Sequence, residues 1–379
     1  MLGFLQGLRS HMLNLQSTYP IGIDIHSQNI YAVQLKETPH GLAVRALAHR
    51  QGEGSPEKAL EASDNLVLQL KEIAKAKVFR GKRAVVHLPS QYLYTFPINI
   101  QVDEGGILEE AILDESAEHL PFPIEEATID YPSIVSTPSG KVNKHRATII
   151  AAATDQVRQL LLTLKQAGLT VEAVEADICS LMRLHRYLQE LNDAPVMLCH
   201  VGFARTLLAV ATEDRIMVHR SIPWGIEILL AKLGKNLELS GNQPKVLLAA
   251  CGFLRKDCKI PDKTSCLTDE DVMQESVLRA VRQIVTPYLE ALIYEFHNVI
   301  GYVMSEEPEA VIQGLYVYGQ ANFIRDLDRY LERTLNIPTK SVNPMTEIAL
   351  PEDNMLSDMS DGASFGLALG LAMRKVIWL

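Results

Sequence analysis

Two stretches, IGIDIHSQNIYAV at residues 21–33 and MLCHVGFARTLLA at residues 197–209, decide how this sequence folds. Each is an apolar run that reaches a polar or small turn and resumes as a second apolar run. That is the pattern of two strands joined by a tight turn. At a constant offset Asp24 aligns with His200, Ile25 with Val201 and His26 with Gly202. A third strand is expected after each hairpin, in LAVRALAHR (42–50) and IMVHRSIP (216–223). A meander repeated in two halves predicts two similar α/β domains facing each other, an arrangement that places ligands in the cleft between them.

The chain has 379 residues, 47% of them hydrophobic, and a formal net charge of −10. It is long enough to bury more than one core. No Lys/Arg block occurs, which argues against a nucleic-acid partner, since phosphate-backbone binding needs a concentrated basic face. The cysteines (Cys179, Cys199, Cys251, Cys258, Cys266) form no CxxC pair and read as idle thiols of a reducing cytosol. The apolar run ASFGLALGLAM (363–373) falls well short of the roughly 20 residues that span a bilayer. MLGFLQGLRSHMLNLQS (1–17) lacks the continuous apolar core of a secretory signal. In that segment Leu5, Leu8, Met12 and Leu15 share one helical face, open to a membrane, a partner or its own domain. With only Arg9 and His11 as basic groups, attraction to anionic lipid is weak. A cytoplasmic protein is expected.

Between the hairpins, PEKALEASDNLVLQLKEIAKAK (56–77) repeats apolar residues at helical spacing, and RAVVHLP (83–89) reads as a buried strand. EEAILDESAEHLPFP (109–123) is a helix stopped by Pro121 and Pro123. TDQVRQLLLTLKQAGL (154–169) runs from a Thr154 cap to Gly168. VLRAVRQIVTPYLEALIYEFHNVIGYV (277–303) is a long amphipathic helix expected to bend near Pro287. GLYVYGQANFIRDLDRYLERTLNIP (314–338) is a strand, a glycine turn and a helix, and residues 236–271 read as a small insertion.

DESAEHLPFPIEEATIDY, residues 114–131, makes the reading specific. Its acidic helix, Pro-Phe-Pro turn, Glu125–Glu126 pair and Asp130 before Tyr131 resemble the PilM-type proteins of type IV pilus assembly, actin-like relatives of the division protein FtsA. ATIIAAATDQVRQLLLTLKQAGLTVEAVEADICSLMRL (147–184), residues 312–344 and SFGLALGLAMR (364–374) resemble the same family. The resemblance covers nearly the whole chain after about residue 20. It implies an α/β, actin-like fold of duplicated RNase H-like domains: residues 20–195, carrying an inserted αβ subdomain at 83–170, and residues 196–379. Residues 1–19 form an N-terminal amphipathic segment. In the family the inserted region helps form a groove for a short N-terminal peptide of a bitopic inner-membrane partner, PilN, and the assembly motor ATPase is a further possible partner.

A phosphate-binding hairpin needs backbone N–H groups aimed at the anion and a glycine that admits it. Its strand-end Asp positions Mg²⁺ through oxygen. By motif position the resemblance assigns this role to Asp24, Ser27, Gly202, Gly225 and Gly319. Every motif is half kept. His26 replaces a glycine, Tyr31 stands where Lys is common, and His200 replaces the second acid. Trp224 and Gln320 replace glycines, and Trp224 is expected to add bulk beside the ligand. An imidazole is a poor Mg²⁺ ligand, so ATP is at most a bound cofactor and catalysis is not expected. His26 and His200 are expected to approach each other across the cleft. They read as structural histidines, since two ligands make an incomplete metal or phosphate site. Glu115 and Glu118, one helical turn apart, fit a solvated face better than an acid–base pair. Glu125 and Glu126 could meet a basic group of a partner, and Trp378 and Leu379 could pack on the core or form a contact. The expected function is a non-catalytic scaffold of the pilus or a related secretion platform, peripheral to the inner membrane. An actin-like ATP-binding protein or ATPase is the alternative.

Overall fold

The computed structural model describes residues 18–26, 29–51, 64–103, 105–132, 134–139, 142–189, 193–251, 269–350 and 362–375. Ser27, most of the N-terminal segment, Cys258, Cys266, Trp378 and Leu379 lie outside them.

Both hairpins form where the repeat places them. β1 (Ile21–Ile25) pairs antiparallel with β2 (Asn29–Thr38), which pairs with β3 (Gly41–Gln51). β4 (Arg83–His87) and then β9 (Thr170–Glu175) extend the sheet in parallel, in the order β3-β2-β1-β4-β9. The second half repeats this with β10 (Val196–Val201), β11 (Thr206–Ala211), β12 (Ile216–Ile222), β13 (Leu315–Gly319) and β14 (Thr339–Ser341), in the order β12-β11-β10-β13-β14. Strand directions also match, antiparallel on the hairpin side and parallel on the other. Between β4 and β9 the chain makes a third sheet from β5 (Tyr94–Asp103), β6 (Ala127–Asp130), β7 (Ile134–Ser139) and β8 (Val142–Ala153). α2 (Leu108–Ala117) packs on it through Ile112.

The two-residue period of β1 separates its faces. Ile21, Ile23 and Ile25 enter a core closed by α1 (Asp64–Lys75) and α3 (Thr154–Gln166), through Leu70, Ile73, Leu160 and Leu164. Gly22 and Asp24 occupy the opposite face. There α4 (Asp177–Leu188) and the C-terminal helix α9 (Gly366–Ala372) cover the sheet. That layer is continuous with the second half, because Val33, Leu181, Leu198, Ala209, Phe365 and Leu369 form one core. α5 (Ile226–Asn236), α6 (Gln243–Cys251), α7 (Asp269–Glu306) and α8 (Leu327–Leu335) line the outer face of the second sheet.

Two local expectations are corrected. Thr154 is the first helical residue rather than the cap, and its hydroxyl bonds Thr128 Oγ1 at 3.0 Å across to β6. α2 ends at Ala117, before the prolines, where Ser116 O turns to His119 N at 3.1 Å. The long helix expected around Pro287 is present as α7, which contains that proline. Gly168 does terminate α3, with a positive φ of 83°.

Close backbone approach fixes α9. A Cβ on Gly22 would stand 2.0 Å from Ala368 O, and one on Gly370 2.1 Å from Ser180 O. Gly370→Ala therefore forces backbone apart and should lower the unfolding free energy by about 2 kcal/mol or more, read as a lower denaturant midpoint. Gly301→Ala, on an exposed turn of α7 with nothing within 4 Å of the new methyl, should be neutral or stabilising. Equal midpoints for the two variants would contradict this packing.

Candidate functional site

Asp24, the next-to-last residue of β1, is fully buried. His87 ends the adjacent parallel strand, β4. Its Nε2 lies 2.5 Å from Asp24 Oδ1 and its Nδ1 3.2 Å from Leu88 O. Both ring nitrogens thus face acceptors, and the doubly protonated imidazolium satisfies both. Burial disfavours that cation, but the Asp24 carboxylate outweighs burial and raises the His87 pKa. Burial likewise works against charge on Asp24, and the His26 and His87 imidazoles overcome it, holding the carboxyl well below the usual carboxylate range. His26, at the hairpin tip, places Nε2 3.0 Å from both Asp24 oxygens.

His200 holds on β10 the place that Asp24 holds on β1, as the sequence alignment predicts. It is 4% exposed, its Nε2 has no hydrogen-bond partner, and burial drives its pKa down to about 4. His26 and His200 line one cavity across the cleft, together with His87, Asp177, Ser90 and Arg205. Asp177 opens α4 and sits 3.4 Å from His219 Nε2 of β12. Burial opposes ionisation of Asp177, yet the His219 contact keeps its pKa low. Ser90 Oγ meets Ser221 Oγ at 2.7 Å, Arg205 Nε donates to Ser221 Oγ at 3.0 Å, and Gln320 Nε2 donates to Tyr31 OH at 3.3 Å. The serine pair and the Gln320–Tyr31 bond draw the halves together, and the cavity beside them is about 40 Å³.

The carried-over glycines have structural work of their own. Gly202 N donates to Arg205 O at 2.9 Å, closing the second hairpin, as His26 N does to Asn29 O in the first. A Cβ on Gly225 would lie 2.2 Å from Phe203 O, and one on Gly319 (φ 78°) 2.4 Å from Val201 O. The start of α5 is satisfied internally, Ile226 N by Gly202 O at 3.2 Å and Glu227 N by Phe203 O at 2.9 Å. Trp224 does not crowd the cleft, contrary to expectation. Its ring packs into the second core and Nε1 donates to Tyr288 O at 2.8 Å. Glu118, Glu125 and Glu126 are exposed, and Glu115 makes only a solvated 3.7 Å pair with His119.

His87, Asp177, Arg205 and His219 escaped sequence reasoning. The available signal was weak: one polar residue closing the apolar strand RAVVH, and one acid opening the helix DICSL.

The family model for the type IV pilus assembly protein PilM matches residues 22–247 and 278–376. The chain belongs to the PilM family. A chain of a solved PilM–PilN type IV pilus biogenesis complex is similar, at 20% identity and a TM-score of 0.70, over 95% of this chain and 99% of that one. The ethanolamine utilization protein EutJ of Carboxydothermus hydrogenoformans matches at 12% identity and a TM-score of 0.49, over 94% and 90%. MreB5 of Spiroplasma citri bound to AMPPNP matches at 12% and 0.48, over 94% and 96%. The fold of this PilM-family chain is actin-like. Among its described residues no helix is long and apolar enough to cross a membrane.

The buried histidines set an acid limit on stability. His200 and His185 have folded pKa values of about 4. Between roughly pH 6.5 and 4 the unfolded chain therefore binds more protons, and stability falls as pH falls, by on the order of 3 kcal/mol per group. His87 has the opposite sign: its contribution is complete below pH 6.5 and is lost as pH rises through its raised value. His200→Gln should flatten the acid limb in denaturant melts from pH 4 to 7. An unchanged limb would show that His200 is not held neutral.

Proposed function

We propose that this PilM-family protein is a non-catalytic scaffold that holds the short cytoplasmic N-terminal peptide of a PilN-like bitopic membrane protein. In that role it works at the cytoplasmic side of the inner membrane and passes the peptide's position to the assembly motor. The observation that carries this reading is a contrast between two spaces. An open groove of about 310 Å³ runs between the third sheet and the first domain, lined by Leu93, Ile150, Val157, Val174 and Tyr131, with Glu175 and Arg374 paired at its side. The central cleft has about 40 Å³, far below the roughly 300 Å³ at which small-molecule pockets begin.

The groove suits an extended peptide. β6 borders it through Thr128 and Asp130 and ends its sheet, paired on one side with β8. Its other edge offers backbone groups to an added strand, while the apolar lining takes alternate side chains. Glu175 is held by Arg183 at 2.9 Å and by Arg374, so the groove's buried charge is compensated before a ligand arrives.

The cleft does not fit a magnesium nucleotide. Both Asp24 oxygens are engaged by imidazoles, His200 stands at the second acid's place, and the amides of His26, Gly202, Ile226 and Glu227 are spent inside the protein. We read it as a degenerate nucleotide site in which Asp24, Gly202, Gly225 and Gly319 keep the backbone geometry of the fold. On the same topology we divide the chain at about residues 195–196, with residues 83–170 inserted in the first domain.

Calorimetry separates the readings. The peptide should bind saturably, and Thr128→Trp, which fills the groove, should weaken it at least about tenfold, the scale of one lost anchor. Mg·ATP should give no saturable heat. Mg·ATP binding abolished by Asp24→Ala, or peptide binding untouched by Thr128→Trp, would overturn the proposal.

A further inference from the structure

We propose that the cleft binds one divalent transition-metal ion of the Zn²⁺ class, with Asp24, His26 and His87 as its protein ligands. One ligand atom from each of these residues lies within 4.8 Å of the others, two of them from the first hairpin and one from the end of β4. Two imidazole nitrogens with one carboxylate oxygen is a donor set for zinc, iron, cobalt or nickel, whereas magnesium wants oxygen throughout.

Three further features favour an ion. His87 is aimed from behind: Leu88 O takes its Nδ1 at 3.2 Å, the outer contact that fixes a ligand imidazole with Nε2 forward. His200 lines the same cavity from the opposite domain, with its Nε2 buried and without a partner. A buried polar atom left this way calls for a missing partner such as an ion or its water. Burial also keeps the His200 ring neutral near pH 7, the form that ligates or accepts. His26 and His87 border the cavity of about 40 Å³, which leaves room for a water beside them.

A bound metal takes the imidazole lone pairs that protons otherwise occupy, so uptake should release protons to solvent and weaken as pH falls. The inference rests on the cleft's own residues and not on peptide capture, so loss of either leaves the other standing.

The test titrates chelator-stripped full-length protein with ZnCl2 by calorimetry in buffers of different ionisation enthalpy, and with CoCl2 by visible absorption. One saturable equivalent, with proton release and the intense d–d bands of low-coordinate Co²⁺, is expected. His26→Ala changes a partly exposed ring (29%), so it keeps folding risk low, and it should weaken binding at least about 100-fold. His40→Ala, on an exposed turn, should not. If His26→Ala melts early, His26→Gln takes its place, and zinc should raise the Tm of the wild type but not of the variant. Absence of saturable binding, or equal affinity in wild type and both His26 variants, would overturn the assignment and leave only adventitious surface histidines.

Discussion

A carboxylate with no access to water must be matched by positive charge within hydrogen-bond reach, and Asp24 imposes that condition on the centre of this molecule. It is met by His87 from the parallel neighbour strand and by His26 from the turn. The need reaches outward. β4 has to end where its last side chain meets β1, the hairpin tip has to fold back, and the second domain has to present a neutral surface opposite. His200 supplies that surface, since a second acid at its position would leave one more negative charge to compensate. Asp177 and His219 repeat the same compensation at the edge of the cleft.

The halves are therefore tied together across the cleft. Serine meets serine, glutamine meets tyrosine, and an apolar layer shared by both sheets runs beneath. Meanwhile β6, paired with β8 alone among the described strands, borders an apolar groove.

The duplicated meander was legible because a strand's two-residue period and its turn are local, so IGIDI and MLCHV declared themselves without knowledge of the partner strands. That His26 and His200 would share one cavity was legible for the same reason, since the offset puts His200 at the place of Asp24 and His26 two residues on from Asp24. His87 was not, because its nearness to Asp24 depends on the parallel register of β1 and β4, which the intervening helix and turns settle. Trp224 shows the opposite failure. Its place in the chain was right, but its ring turned to where Tyr288 O could accept its N–H. Thr154 looked like a cap until β6 offered a closer hydroxyl. Ser27 and the chain's two ends lie outside the described residues.

The glycine contacts of α9 also bear on synthesis. β1 emerges from the ribosome early, yet the helix that covers its Gly22 face is made after the whole second domain. At 5–20 residues per second, that separation lasts roughly tens of seconds. During that interval the first domain carries an uncovered apolar face beside a finished sheet, a natural landing place for a chaperone. The first domain and the last helix must therefore mature as one unit, and a nascent chain cut anywhere before Gly366 leaves the opening strand without its lid.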